Sequence, residues 1–113
     1  MPHIIIETSK NVSLGINSSA LVEAAHKALG KELGDVARIK TRLMVAEQSS
    51  VGDEGANGTM MHITLLLLEG RDVATKNQYS AAILEAIKPH IQSIPKCKIT
   101  CEVRDMDKDT YVM

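Results

Sequence analysis

The apolar residues of this 113-residue chain follow the same pattern twice, and this repetition limits the folds open to it. In each half, a strand-like segment precedes an amphipathic helical segment, and a second strand-like segment follows. The two halves cover about residues 1–56 and 57–113. We therefore expect a single α+β domain with the order β-α-β, loop, β-α-β.

The first half begins with a β-branched strand from His3 to Thr8. Its helix ends at Gly34, a typical C-cap residue. The apolar residues of this helix are Val22, Ala25, Leu29 and Leu33. A second strand is predicted from Val36 to Glu47, with Lys40 and Arg42 on one of its faces.

The second half begins with a strand from Met60 to Leu68 that is apolar on both faces, as in a sheet covered on both sides. Asp72 is a plausible N-cap for the next helix, and Pro89 should end or kink that helix near Lys88. The apolar stripe of the helix is Ile83, Ile87, Ile91 and Ile94. The last predicted strand covers Lys98 to Arg104.

Right-handed crossovers would place both helices on the same face of one four-stranded sheet. We expect Ile5, Leu65 and Leu67 to make the other face apolar, and two helices cannot cover both faces. Other subunits are therefore expected to cover the second face, which predicts a homo-oligomer.

The composition argues against several functional classes. The net charge is −1, and the chain has two Tyr but no Phe or Trp, so neither a basic stripe nor base-stacking platforms indicate nucleic-acid binding. The longest apolar run is too short to span a bilayer. The first residues resemble no signal peptide, so we expect a cytoplasmic protein without membrane contact.

If the segment from Cys97 to Cys101 is extended as a strand, the two cysteines lie on one face, roughly 13 Å apart. This separation is too long for a disulfide, so we expect two reduced, buried thiols. The four His residues are scattered, and the sequence therefore predicts no metal site.

Three segments resemble members of one known superfamily. The opening Met-Pro-His-Ile-Ile-Ile-Glu and the segment Ile39 to Arg42 resemble 5-carboxymethyl-2-hydroxymuconate isomerase, of the tautomerase superfamily. The segment Leu68-Glu69-Gly70-Arg71 resembles a segment of 4-oxalocrotonate tautomerase. The resemblance implies a homotrimer of duplicated β-α-β units. It also implies proton transfer in a small unsaturated 2-hydroxy or 2-oxo acid, with no metal or cofactor.

The resemblance implies that Pro2 is the catalytic base once Met1 has been removed, because its nitrogen then becomes a free secondary amine. Desolvation and nearby cations would lower the pKa of such an amine from the roughly 7.7–8.0 of an α-amino group. An anionic intermediate and a carboxylate substrate need cationic partners. The candidate substrate-binding residues are Lys40, Arg42, Arg71 and, closing the pocket from the tail, Tyr111.

Two other functional classes remain open at this point. A β-α-β-β-α-β chain also serves as a non-catalytic module that binds small ligands, and fold alone does not separate the two. A third possibility is a related enzyme that performs hydration or dehalogenation. The position of Pro2, directly after the initiator methionine, favours the isomerase. His3 alternates away from Pro2 along the strand and is expected to be structural.

Overall fold

A computed structural model describes residues 2–113 of the chain. Met1, whose removal the Pro2 hypothesis requires, lies outside the described residues. Two short 3-10 turns, Gly52–Glu54 and Lys88–His90, supplement the regular elements. These elements are β1 (His3–Ser9), α1 (Lys10–Leu14), α2 (Ser18–Leu33), β2 (Lys40–Ala46), β3 (Met60–Leu68), α3 (Val73–Ile87) and β4 (Lys98–Met106).

The four strands form one mixed sheet in the order β2-β1-β3-β4. The central strands β1 and β3 are antiparallel, whereas β1 pairs with β2 and β3 pairs with β4 in parallel. Both long helices pack on the same side of the sheet, which we call the helix face, and the opposite side is the open face. The predicted α+β fold, with two helices on one face of a four-stranded sheet, is confirmed.

The core lies between the helix face and the two long helices. Alternate residues of the central strands point into it, because side chains alternate between the two faces of a strand. Fully burying a side chain of this size contributes about 1.5–3 kcal/mol to stability. The fully buried core residues include Ile4, Ile6, Ile63, Leu65, Leu67, Leu21, Leu29, Ile83 and Ile87.

The prediction that Leu65 and Leu67 lie on the second face is wrong. Both are fully buried beneath the helices, since the alternation of β3 directs its odd-numbered residues to the helix face. The even-numbered residues of β3, including Leu66, lie on the open face. Ile5 lies on that face as predicted and is half-buried.

The open face is therefore less apolar than the sequence suggested. Its β3 and β4 portion carries a paired polar cluster, in which His62 Nε2 lies 3.0 Å from Glu102 Oε1. Arg104 Nη2 donates to the same oxygen at 2.9 Å, and the Thr100 hydroxyl lies 2.6 Å from His62 Nδ1. Hydrogen bonds from Arg104 and His62 lower the pKa of Glu102. The Glu102 carboxylate is thus paired with side chains of its own chain rather than with those of another subunit.

The helix ends follow the local signals in the sequence. Gly34 closes α2 with a positive φ of 75°, and the side chain of Asp72 caps α3 by accepting a hydrogen bond from Thr75 N at 2.8 Å. Helix α3 stops at Ile87, immediately before the turn that contains Pro89. Both caps and the stop at Pro89 confirm the predictions.

The strand bounds differ from the prediction by more than one residue at two places. Residues Val36 to Ile39 form a turn closed by Ile39 N donating to Val36 O at 3.1 Å, so β2 begins at Lys40. At the other end of the sheet, β4 continues to Met106, two residues beyond the predicted end at Arg104.

The structure places the two cysteines near the start of β4. Cys97 and Cys101 are free and half-buried, but Cys97 lies just before β4 rather than in it. Burial raises the pKa of the Cys101 thiol to about 11, which keeps it protonated at neutral pH.

None of the helices within residues 2–113 is both long and apolar enough to cross a membrane.

The turn after α2 depends on a close contact between Gly30 and Val36. Gly30 is buried in the last turns of α2, and a methyl group added at its Cα would overlap the Cγ1 methyl of Val36. Valine is stiff about χ1, so it cannot easily move aside. The absence of a side chain at Gly30 thus allows residues 34–39 to fold back against the helix.

We expect Gly30→Ala to lower the free energy of unfolding, although alanine is the better helix former. The propensity gain is about 1 kcal/mol, whereas overpacking typically costs about 1–3 kcal/mol. Urea unfolding followed by circular dichroism measures the difference. The double variant Gly30→Ala/Val36→Ala removes the overlap and should recover most of the loss. A stabilised single variant would contradict this account of the contact.

Candidate active site

Pro2 lies at the start of β1, where it is buried beside a cavity of about 240 Å³. Its carbonyl oxygen accepts a hydrogen bond from Lys40 N at 3.0 Å, which fixes the start of β1 against β2. The cavity occupies the end of the sheet on the helix face. Its lining residues are Pro2, Leu33, Asp35, Arg38, Ile39 and Arg71.

Arg71 reaches this cavity from the short connection between β3 and α3. Gly70, in front of it, has a φ of 123°, a conformation that favours glycine, and it redirects the chain at the end of β3. Arg71 Nη1 donates to the carbonyl of Leu68 at 3.3 Å. The guanidinium carbon lies 5.9 Å from the ring centre of Tyr79, within the range of a cation–π contact. The sequence-predicted Arg71 thus lines the same cavity as Pro2.

Arg38 is a second cation at this cavity, and the sequence reasoning missed it. The turn at residues 36–39 directs Arg38 toward Pro2, whereas a strand beginning at Val36 would place it on the open face with Lys40. Asp35 is also at the cavity, but its Oδ1 accepts a hydrogen bond from Ala37 N at 2.9 Å and so holds the turn. Gly34 and Asp35 were only a partial signal, because both residues favour turns but do not show that the turn extends to Ile39.

The other predicted binding residues lie on the open face at the same end of the sheet. Lys40 is the register partner of His3, and Arg42 Nη1 lies 3.1 Å from His3 Nδ1. His3 Nε2 lies 2.8 Å from the hydroxyl oxygen of Tyr111, whose ring packs edge-on against the imidazole. The structure therefore brings Arg42 and Tyr111 together through His3, but separates them from the cavity that Arg71 lines.

The surroundings of His3 favour its neutral form. Desolvation by burial lowers the pKa of His3 from 6.5, and the positive charges of Arg42 and Lys40 lower it further. Arginine can only donate hydrogen bonds, so His3 Nδ1 accepts from Arg42, and Nε2 must carry the ring proton. The Nε2–H group then donates to the Tyr111 hydroxyl oxygen.

Comparison with known protein families identifies the chain. A model of the family described as 5-carboxymethyl-2-hydroxymuconate isomerase matches residues 2–112. The chain belongs to the 5-carboxymethyl-2-hydroxymuconate isomerase family. It is therefore an isomerase, and the resemblance found in the sequence is confirmed. A comparison with curated protein sequences gives no significant match.

Solved structures named for this family, and a solved structure of a fused 4-OT, share the fold at low sequence identity. A 5-carboxymethyl-2-hydroxymuconate delta-isomerase superimposes with a TM-score of 0.86 at 16% identity, covering 100% of this chain and 87% of that chain. The isomerase from Deinococcus radiodurans R1 gives 0.86 at 15% identity, covering 99% and 87%. A fused 4-OT wild-type symmetric trimer gives 0.75 at 18% identity, covering 98% and 90%. These likenesses show a tautomerase fold.

Proposed function

We propose that this isomerase shifts a proton within a small unsaturated 2-hydroxy or 2-oxo acid, with the N-terminal amine of Pro2 as the general base. The observation that carries the proposal is the burial of Pro2 beside a cavity lined by Arg38 and Arg71. Family membership favours this enzyme over the alternative of a non-catalytic ligand-binding module.

The reaction needs one group that takes a proton and returns it at another position. After Met1 is removed, the lone pair of the Pro2 nitrogen accepts the proton of the substrate's 2-hydroxyl group. The O–H electron pair becomes the carbonyl π bond, and the conjugated π electrons move to a distal carbon. The protonated amine then delivers its proton to that carbon, so the base is restored and no redox change occurs.

The cationic residues at the cavity provide the complementary charge. Arg38 and Arg71 are suited to hold the substrate carboxylate, since a guanidinium binds a carboxylate through two parallel hydrogen bonds. They also disfavour an ammonium form of Pro2 and thus keep its amine basic but unprotonated. Lys40 and Arg42, across the strand, add positive potential on the side of the open face.

We further propose a homotrimer, in which other copies of the chain cover the open face. Ile5 and Leu66 are only half-buried there, and 54% of Met44 is exposed at the neighbouring edge strand. The internal pairing of His62, Glu102 and Arg104 lowers the cost of removing this face from water. A fold neighbour described as a symmetric trimer supports the stoichiometry.

The proposed base makes a direct prediction about a blocked amine. Protein that retains Met1 through inhibition of methionine removal has an amide nitrogen at Pro2, which has no basic lone pair. Its ketonisation of 2-hydroxymuconate should fall to the rate of buffer catalysis, as measured by ultraviolet absorbance. Pro2→Ala with Met1 removed is the control, because it keeps a terminal amine and should retain measurable activity. Equal rates for the blocked and free proteins would exclude Pro2 as the base.

The role of Arg71 predicts a specific kinetic signature. Arg71→Ala should raise KM for a carboxylate substrate about tenfold or more while lowering kcat less, because the carboxylate contact already exists in the ground state. Arg71→Lys keeps the positive charge but lacks the planar guanidinium that binds a carboxylate through two hydrogen bonds. Its KM should therefore lie between those of the unaltered protein and Arg71→Ala. Steady-state kinetics on 2-hydroxymuconate measures both constants. A loss confined to kcat would contradict the assignment.

The assembly is tested by light scattering during gel filtration at micromolar concentration. The expected mass is three times the 12.3 kDa of one chain. Leu66→Glu would introduce a carboxylate on the open face beside Arg104, whose guanidinium already pairs with Glu102, and it should dissociate the trimer because burying an added negative charge is costly. Lys31→Glu, on α2 away from the open face, is the matched control. A monomeric mass for the unaltered protein would refute the proposal.

A further inference from the structure

The cavity beside Pro2 is lined by charges of both signs. The guanidinium groups of Arg38 and Arg71 are positive, and the carboxylate of Asp35 is negative. Two positive charges and one negative charge leave a single excess positive charge at the cavity. One carboxylate of a substrate balances that charge, whereas a second carboxylate would bring an uncompensated negative charge into the cavity.

Two hydrogen bonds hold Asp35 at the cavity. Its backbone N donates to the carbonyl of Gly30 at 3.2 Å, which ties it to the end of α2. Its side-chain Oδ1 accepts from Ala37 N at 2.9 Å, which ties it to the turn that follows. Backbone and side chain are therefore both anchored, so the negative charge of Asp35 has a fixed place in the lining.

No neighbouring cation neutralises the charge of Asp35. Arg38 comes from the same turn, but none of the ion pairs among residues 2–113 includes Asp35. The C-terminal end of α2, where Leu33 lines the cavity, adds negative partial charge on the same side. The part of the cavity next to the end of α2 therefore disfavours an anionic group.

We propose that Asp35 is a specificity-determining residue that restricts the cavity to small acids with a single carboxylate. Arg38 and Arg71 hold that carboxylate, and the uncharged remainder of the substrate lies against the apolar side chains of Leu33 and Ile39. The proposal rests on the proposed function and names its class of substrate. Asp35 acts by repelling a second carboxylate, and selectivity follows from the difference in affinity between the two kinds of acid.

The small size of the cavity leaves a second carboxylate little room to avoid Asp35. Its volume of about 240 Å³ lies below the roughly 300–1,000 Å³ of pockets for drug-sized ligands. Charges confined to so small a space lie within roughly the 8 Å Debye length of physiological salt, so mobile ions screen them little. Asp35 is itself exposed to water, which weakens the repulsion. We therefore expect a selectivity of about tenfold rather than of several orders of magnitude.

Two stable 2-oxo acids of equal length test the preference by binding alone. 2-Oxoglutarate carries a second carboxylate where 2-oxopentanoate has its terminal methyl group. Titration calorimetry at neutral pH, on protein without Met1, should show about tenfold tighter binding of 2-oxopentanoate. Asp35→Asn removes the charge but keeps an oxygen that accepts from Ala37 N, and it should abolish the difference. Equal affinities in the unaltered protein, or an unchanged ratio in Asp35→Asn, would overturn the proposal.

Two further variants separate the charge of Asp35 from its role in the turn. Asp35→Glu keeps the charge but lengthens the side chain that accepts from Ala37 N, and it should retain the preference for the monocarboxylate. A purely structural role predicts the reverse, with a change in Asp35→Glu and none in Asp35→Asn. Glu23→Gln, on α2 outside the cavity lining, removes one negative charge and should leave the ratio of the two dissociation constants unchanged. Circular dichroism and gel filtration check the fold and assembly of each variant.

The ketonisation of two enols distinguishes this proposal from the proposed function. 2-Hydroxy-2,4-pentadienoate is the counterpart of 2-hydroxymuconate without the distal carboxylate. Asp35→Asn should raise kcat/KM for the muconate about tenfold relative to the pentadienoate, whereas retention of Met1 should abolish the turnover of both. An unchanged ratio in Asp35→Asn would overturn the role of Asp35 and leave Pro2 as the base. Full activity in protein that retains Met1 would overturn the proposed function but not the binding preference.

Discussion

The antiparallel pairing of β1 with β3, combined with the alternation of side chains along β1, determines the rest of this structure. Ile4 and Ile6 must face the helices, because their burial provides the centre of the core. Pro2 is even-numbered like Ile4 and Ile6, and the alternation along the strand therefore places it on the helix face. His3 has the opposite parity and lies on the open face. One packing constraint thus places neighbouring residues in two different chemical environments.

Features of the fold that depend on nearby residues were predictable from sequence, whereas features that depend on register were not. The caps at Gly34 and Asp72 and the stop before Pro89 rest on hydrogen bonds and sterics within a few residues. The assignment of β3 residues to the two faces of the sheet does not depend on such local contacts. A strand that is apolar at every position gives no local sign of which residues face the helices. Only its pairing with β1 decides this, so Leu65 and Leu67 were misplaced.

The candidate site shows the same division. Pro2 and Arg71 were predicted from short motifs, and both line the cavity. Arg38 was missed because the turn before β2 depends on Val36 packing against Gly30, a contact that spacing does not reveal. Local alternation correctly placed Lys40 and Arg42 on a common face. It could not show that this face lies across the sheet from the cavity, since that depends on pairing with β1.

The balance of charge around Pro2 follows from this geometry. Arg38 and Arg71 on one side of the sheet outnumber the single carboxylate of Asp35. That carboxylate accepts from Ala37 N through Oδ1, so one of its two oxygens already holds a turn. Burial of Pro2 acts in the same direction as the cations, because both disfavour a positive charge. The same environment that would keep a terminal amine neutral therefore also attracts an anion, which is the pairing that proton abstraction from a carboxylate substrate requires.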